Sequence, residues 1–286
     1  MTRLVAGLAD VAAPYDVLLC DVWGVIHNGR EAFAAPCAAL ARWRRERGPV
    51  VLISNSPRPW GDVADQMDAL GVPREAWSVL VTSGDATQGL LAARAPGPAW
   101  RIGPERDSPL YEGLGLRFAD IEAAAFIVCT GLNDDEVETP EDYRAPLAEG
   151  VARGLEMICA NPDKVVQRGD RLIYCAGALA DLYQDLGGLV VMAGKPFTPI
   201  YDLCLARTEK LLGRRLDRRR ALAIGDGIAT DLKGAQLQNL DALFIASGIH
   251  GGAALGGASD LDMAAVEALL AREDARAAFA MVDLAW

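Results

Sequence analysis

Histidine is nearly absent from this sequence. His27 and His250 are the only two in 286 residues, which excludes a histidine-rich metal centre. Cysteine is present but badly placed for chemistry. The six residues Cys20, Cys37, Cys129, Cys159, Cys175 and Cys204 include no C-x-x-C pair, so neither a zinc site nor a disulfide framework is indicated. No apolar run approaches the roughly 20 residues a membrane-spanning helix needs. A basic excess is missing as well: the net charge of −11 argues against a sequence-independent grip on nucleic acid, which needs a basic face. The first residues lack a signal-peptide core and cleavage site, so the expected location is cytoplasmic.

What remains is an ordinary globular composition, 51% hydrophobic and 23% charged, with apolar residues gathered into short runs. Runs at 16–20 (DVLLC), 49–53 (PVVLI), 78–82 (SVLVT), 189–193 (LVVMA), 220–224 (RALAI) and 241–245 (DALFI) are too short for helices. They read as strands buried on both faces, which is the pattern of a parallel sheet covered by helices. Amphipathic segments at 31–47, 60–71, 84–94, 197–213 and 229–238 supply the cover. Right-handed crossovers then give a three-layer α/β core of Rossmann-like type.

The stretch from 97 to 187 breaks this rhythm. It begins in "ARAPGPAW" and carries its own strand-like runs, "AFIVCT" and "LEMIC". In "VVQRGDRLIYC" two strand-like arms flank a hairpin turn at Arg168-Gly169-Asp170. About ninety residues suffice for a small α/β domain with its own core. The expected organisation is therefore a core formed by 1–96 and 188–286 with an α/β domain, 97–187, inserted between its halves. The Ala/Gly-rich "HGGAALGGASD", 250–260, reads as a loop.

Four motifs fall at the C-terminal ends of the predicted core strands, where ligands bind in an open parallel sheet. They are Asp21 after "VLLC", Ser54-Asn55-Ser56 after "VVLI", Lys195 in "VMAGKPFTP", and Asp226 with Asp231 in "AIGDGIATDLKGA". Taken singly, each has an ordinary explanation. An Asp at a strand end caps a turn, Ser-Asn before Pro57 is turn composition, Gly-Lys-Pro is a surface loop, and "GDGIATD" is a glycine turn before a helix cap. Chance does not readily put all four, in this order, on one strand edge. Two carboxylates with a backbone carbonyl make an all-oxygen site suited to Mg²⁺. A carboxylate nucleophile can take a phosphoryl group and split one difficult displacement into two easier ones. Metal, ammonium and hydroxyl donors then bear on the phosphoryl oxygens, where transition-state charge is spread.

These motifs resemble the haloacid dehalogenase-like superfamily, and within it the NagD-like and p-nitrophenylphosphatase-like subclass. "LISNSPRP", "VTSGDATQGLL", "ICANPD", "AGKPFTPIYD" and "AIGDGIATDLKGA" carry the likeness across nearly the whole chain. The resemblance implies an α/β core with an inserted cap domain and a Mg²⁺-dependent phosphatase. It implies Asp21 as nucleophile and metal ligand, the Trp23 carbonyl and Asp226 as further ligands, and Asp231 as a ligand through water or a group that supports the ligands. Ser54, Asn55 and Lys195 would hold the phosphoryl group. Arg58 and the cap segment "ANPD", 160–163, are candidates for shaping the substrate entrance; a solvated surface role for Arg58 stands beside that reading. The implied partner is a small phosphorylated metabolite (a sugar phosphate, nucleoside monophosphate or aryl phosphate), with self-association through the cap left open.

Position 23 departs from the pattern. The resemblance would place there an Asp that protonates the leaving alcohol and later activates water. Tryptophan offers only an indole N–H donor. General acid–base assistance contributes roughly 10²–10⁴ in rate, about 3–5 kcal/mol. Its loss penalises sugar alcohols far more than phenols, acyl phosphates or anhydrides as leaving groups. His27 in the same loop and His250 after the last core strand are alternative proton carriers, each also readable as a plain loop histidine. Haloacid dehalogenases lack the metal requirement, so the pair Asp226 and Asp231 ranks dehalogenation low. The leading expectation is a phosphohydrolase working through an aspartyl-phosphate on Asp21; the alternative is a phosphate- and Mg²⁺-binding regulatory protein with little turnover.

Overall fold

The computed structural model describes residues 1–168, 171–256 and 260–286. In chain order its strands are β1 (Arg3–Leu4), β2 (Val17–Cys20), β3 (Val50–Ser54), β4 (Val79–Thr82), β5 (Ala99–Ile102), β6 (Phe126–Cys129), β7 (Glu156–Cys159) and β8 (Val165–Arg168). There follow β9 (Arg171–Tyr174), β10 (Leu189–Met192), β11 (Ala221–Gly225), β12 (Asp241–Ile245), β13 (Leu255–Gly256), β14 (Asp260–Leu261) and β15 (Phe279–Met281). The chain divides into two compact units. One comprises Met1–Ser54, Ala64–Val81 and Tyr201–Trp286, and the other Asn55–Val63 and Thr82–Ile200.

The first unit is built on a seven-stranded sheet in the order β1-β15-β12-β11-β2-β3-β4. The central strands pair in parallel, Leu18 of β2 standing opposite Val50 on one side and Leu222 on the other. Every residue of β2, β3 and β11 is buried, as continuous apolar runs in a covered parallel sheet require. The helix Ala34–Glu46 turns Pro36, Cys37, Ala39, Leu40 and Trp43 inward, a spacing of three and four that makes one apolar stripe. Its last turn carries Arg44 and Arg45, which complement the negative end of the helix dipole. The chain leaves β2 for β3 on one side, while β11 lies on the other. Doubly wound sheets take ligands at the carboxyl ends of the strands where the order reverses, here β2 and β11.

The second unit has its own four-stranded sheet, β10-β7-β6-β5, and a separate antiparallel pair, β8-β9. Ile127, Cys129, Met157 and Cys159 face one core with Leu179 and Tyr183. Phe126, Val128 and Ile158 face another with Leu91 and Leu110. The alternation along β6 and β7 is the period-two pattern of a sheet covered on both sides. Among the described residues all six cysteines are buried and none forms a disulfide, as small apolar side chains pack.

Two sequence expectations change here. The run at 189–193 does not join the core sheet. Leu189–Met192 pairs in parallel with β7, Leu189 opposite Glu156 and Met192 opposite Cys159. It is an edge strand, half-exposed, with Leu189 71% exposed. Its composition matched that of a core strand, and composition carries no information on which sheet supplies the partner. Accordingly the second unit runs on to Ile200 and begins at Thr82, with Asn55–Val63 also part of it, rather than spanning 97–187. Within the stretch read as a loop, 250–260, Gly251–Ala254 forms a short helix and Leu255–Gly256 pairs with Asp260–Leu261, while 257–259 lie outside the described residues. The hairpin arms Val165–Arg168 and Arg171–Tyr174 pair as expected, and the turn residues Gly169 and Asp170 lie outside the described residues. Among the described residues, no helix is long and apolar enough to cross a membrane.

Candidate active site

Asp21 follows β2 directly. Its backbone N–H donates to the Ile224 carbonyl at 2.8 Å, continuing the ladder with β11 one residue past the strand and fixing where the side chain starts. Asp226 follows β11 in the same way, and the two strands are neighbours. Asp231 is brought back by a wide, π-type turn over Ile228–Leu232, in which the Gly227 carbonyl accepts from Asp231 N–H at 2.8 Å and Leu232 N–H at 3.2 Å. Such turns are rare and concentrate at functional sites. The expected helix at 229–238 thus opens in this wider form before continuing as Lys233–Leu237.

The three carboxylates converge. One oxygen from each of Asp21, Asp226 and Asp231 lies within 4.8 Å of the others, and all three residues are buried. Among the described residues this is the one such grouping of three acidic or metal-ligating side chains. Ionised groups at that spacing repel by about 3–4 kcal/mol per pair at an effective dielectric near 20. Backbone donors offset part of this. Ile249 N–H donates to Asp226 Oδ2 at 2.8 Å, and Gly227 N–H to Asp231 Oδ2 at 3.1 Å.

Glycines make the crowding sterically feasible. A Cβ on Gly248 would stand 2.0 Å from Asp226 Oδ2, one on Gly24 2.3 Å from the same oxygen, and one on Gly225 2.2 Å from Asp231 Cγ. Gly24 also holds φ at +86°, where side-chain-bearing residues are strained. Three buried oxygen donors with no nitrogen or sulfur among them fit a hard divalent cation such as Mg²⁺ or Ca²⁺. The chemistry of the donor set therefore agrees with the implied metal. The glycine cradle and the Ile249 amide were not singled out from sequence, although "WGV" and "SGIHGG" held the signal.

Trp23 has a defined place. Its indole meets the His27 ring edge-on, with ring centroids 5.1 Å apart and planes at 74°. Gly29, at φ +81°, lies so close that a Cβ there would be 2.4 Å from the ring's Cη2. His27 is itself committed, its Nδ1 accepting from Gly29 N–H at 3.1 Å. Burial drives its pKa down to about 4, although the Asp21 carboxylate pulls the other way. At neutral pH His27 is an uncharged packing partner of Trp23 and has no proton to donate as an imidazolium. His250 lies beside Phe244, ring centroids 6.3 Å apart, and burial lowers its pKa too. Ser54 closes β3, next to β2, and is buried.

Lys195, expected after a core strand, instead follows β10 of the smaller sheet. The second unit brings it together with Asn55. Asn55 Oδ1 accepts from Lys195 N–H at 2.7 Å, and Asn55 Nδ2 donates to the Lys195 carbonyl at 3.2 Å and to Asp163 Oδ1 at 2.9 Å. Both amide protons and the carbonyl of the Asn55 side chain are thus engaged within the unit. The "ANPD" segment is tied down as well, Asn161 Oδ1 accepting from Asp163 N–H at 3.0 Å. Arg58 is half-buried. Burial lowers its pKa, opposed by Asp107 and Asp62.

Comparison with known proteins agrees with this geometry. Residues 18–117 match the family model for haloacid dehalogenase-like hydrolases, and residues 192–269 a related HAD-hydrolase-like model. A solved hydrolase of the haloacid dehalogenase-like family from Brucella suis 1330 is 46% identical, with a TM-score of 0.88, covering 98% of this chain and 100% of that one. A D-glycerol 3-phosphate phosphatase of Mycobacterium tuberculosis is 25% identical over 246 residues, 85% of this chain but only 66% of that protein's length. A glycerol phosphate phosphatase structure from the same organism, in complex with magnesium, has a TM-score of 0.67 at 23% identity and covers 95% of this chain and 76% of that one. Strand order, carboxylate cluster and likeness over nearly the full length lead to one conclusion: the chain belongs to the haloacid dehalogenase-like family of hydrolases.

Proposed function

We propose that this protein is a Mg²⁺-dependent phosphohydrolase acting on small organic phosphates through an aspartyl-phosphate on Asp21. The observation that carries the reading is the buried convergence of Asp21, Asp226 and Asp231. A magnesium complex among similar phosphatase structures supports the choice of cation. The metal, when bound, neutralises charge on the phosphoryl oxygens and on the carboxylates. Asp226, Asp231, one oxygen of Asp21 and the Trp23 carbonyl are the proposed ligands. The other Asp21 oxygen attacks phosphorus as the bond to the leaving oxygen breaks. Water then attacks the same phosphorus, releasing phosphate and restoring the carboxylate. Ser54 and Lys195 are assigned to the phosphoryl oxygens, with Arg58 a candidate for the rest of the substrate. The same proposal includes a cytoplasmic location, a phosphorylated metabolite as partner and self-association through the smaller unit.

Trp23 narrows the substrate class. An indole has no proton to give at neutral pH, and it is held by His27 and Gly29. A leaving oxygen must therefore depart as an anion or take its proton from water. Phenols, acyl phosphates and anhydrides tolerate this, and alkyl alcohols do not. The same observation supports a second reading, a protein that holds phosphate and Mg²⁺ without useful turnover. Phosphate release from aryl, acyl and alkyl phosphates, with and without Mg²⁺, decides between them. The phosphohydrolase reading expects aryl and acyl esters to turn over, alkyl esters to lag, and Asp21→Asn to abolish release. Inertness toward all three classes alongside tight phosphate binding would hand the case to the second reading.

A further inference from the structure

The environment of Lys195 contains a device that the roles above do not use. Lys195 and Asn55 are 2% and 3% exposed, and the Asn55 amide grips the Lys195 backbone at both its N–H and its carbonyl. A primary amide can face its partners in two flipped orientations, and only one makes this grip. Asp163 reinforces that orientation. Its carboxylate oxygen only accepts, so it requires the NH₂ edge of Asn55 at 2.9 Å. The amide oxygen must then face Lys195 N–H. The bond is charge-assisted, stronger than one between neutral groups.

Asp163 is in turn anchored. Its N–H donates to Asn161 Oδ1 at 3.0 Å, and its carbonyl accepts from Gly177 N–H at 3.0 Å at the start of the helix Ala176–Asp185. Two glycines let these segments close on one another. A Cβ on Gly177 would lie 2.2 Å from the Pro162 carbonyl oxygen, and one on Gly194 would lie 2.6 Å from Asn55 Oδ1. Holding a residue at both backbone polar groups fixes its φ and ψ, and with them the direction in which its side chain leaves the backbone.

We infer that Asp163 is a positioning residue for Lys195, acting through the Asn55 side chain and touching neither substrate nor metal. The inference rests on the phosphohydrolase reading, in which Lys195 holds phosphoryl oxygens. A displacement of about 1 Å at such a group costs up to roughly 100-fold.

The test is a double-mutant cycle of Asp163→Ala with Lys195→Met. Its readouts are kcat and KM on an aryl phosphate and the Kd for inorganic phosphate in Mg²⁺, with Tm measured alongside. Asp163→Ala is expected to lower kcat/KM by about 10- to 100-fold and to weaken phosphate, dividing between kcat and KM as Lys195→Met does. In the Lys195→Met background the same change should add little. Asn55→Asp, which sets one carboxylate against another, should match Asp163→Ala, and Asn55→Asp with Asp163→Asn should recover part of the loss by reversing donor and acceptor. Should Asp163→Ala not fold, Asp163→Asn with the exchange pair gives the same comparison. Full additivity with Lys195→Met, or unchanged kcat/KM and phosphate affinity in Asp163→Ala, overturns the inference. If Lys195→Met alone leaves turnover and phosphate affinity intact, the assigned role of Lys195 fails first and the inference falls with it.

Discussion

In the first unit three carboxylates are crowded at the ends of β2 and β11 and within the turn after β11, and the surroundings are small: Gly24, Gly225, Gly248 and two backbone N–H groups. In the second unit the featured group is a cation, Lys195, and its surroundings grip its backbone through Asn55 and Asp163. The acidic cluster brings like charges together, and in the proposed function a divalent cation offsets them. The lysine clamp is complete in itself and fixes direction. In the proposed function one cluster depends on what binds, and the other on pre-organisation. Perturbing each should leave distinct signatures.

The sharpest break is Asp21→Asn. Removing the attacking oxygen should cost at least about 10³-fold in turnover, as loss of a nucleophile does elsewhere, and should weaken Mg²⁺ as well, seen in kcat and in the Mg²⁺-dependent rise in Tm. Next come the glycines. Gly248→Ala puts a Cβ 2.0 Å from Asp226 Oδ2 and should erase most of the Mg²⁺-dependent Tm rise, with activity down by about 100-fold. Gly194→Ala, whose Cβ would stand 2.6 Å from Asn55 Oδ1, should keep that rise and instead weaken inorganic phosphate. Identical behaviour of the two variants would erase the distinction between the clusters.

Trp23→Asp tests the leaving-group argument. An ionisable group at position 23 should raise alkyl-ester turnover by about 10²-fold or more and aryl-ester turnover by much less, so the alkyl-to-aryl ratio of kcat/KM is the readout. Equal gains on both would mean that Trp23 acts by blocking access.

Much of this was readable beforehand, and the exceptions follow a pattern. Asp21, Ser54 and Asp226 could be placed because an apolar run of strand length, ending in a polar residue, states both the strand and its exit. The fate of 189–193 could not be placed, since LVVM suits either sheet and only pairing with β7 decides. The tie made by the Asn55 side chain was hidden for a related reason. Its partners are Lys195 and Asp163, 140 and 108 residues away, and no local pattern reports a hydrogen bond over such a separation. Trp23 stood out in the sequence as a departure from the resembling pattern, but its packing on His27 and Gly29 needed coordinates.

The smallest expected effect concerns His27. Its folded-state pKa, about 4, lies below the ordinary 6.5, so between these values the unfolded chain binds more protons. Its contribution is fully present above pH 6.5 and is lost as the pH falls to about 4, at most roughly 3 kcal/mol. Chemical denaturation from pH 7 to 4 should show the wild type losing more stability than His27→Gln. Parallel pH profiles would count against a buried neutral imidazole.

The most direct test of the central claim is to trap the phosphoryl group. Protein mixed with Mg²⁺ and an acyl phosphate, quenched rapidly in acid and digested, would be mapped by mass spectrometry. The account predicts a phosphoryl adduct on Asp21 that is absent in Asp21→Asn and absent when the metal is chelated. Phosphate release that continues undiminished in Asp21→Asn, with no adduct in either protein, would contradict it.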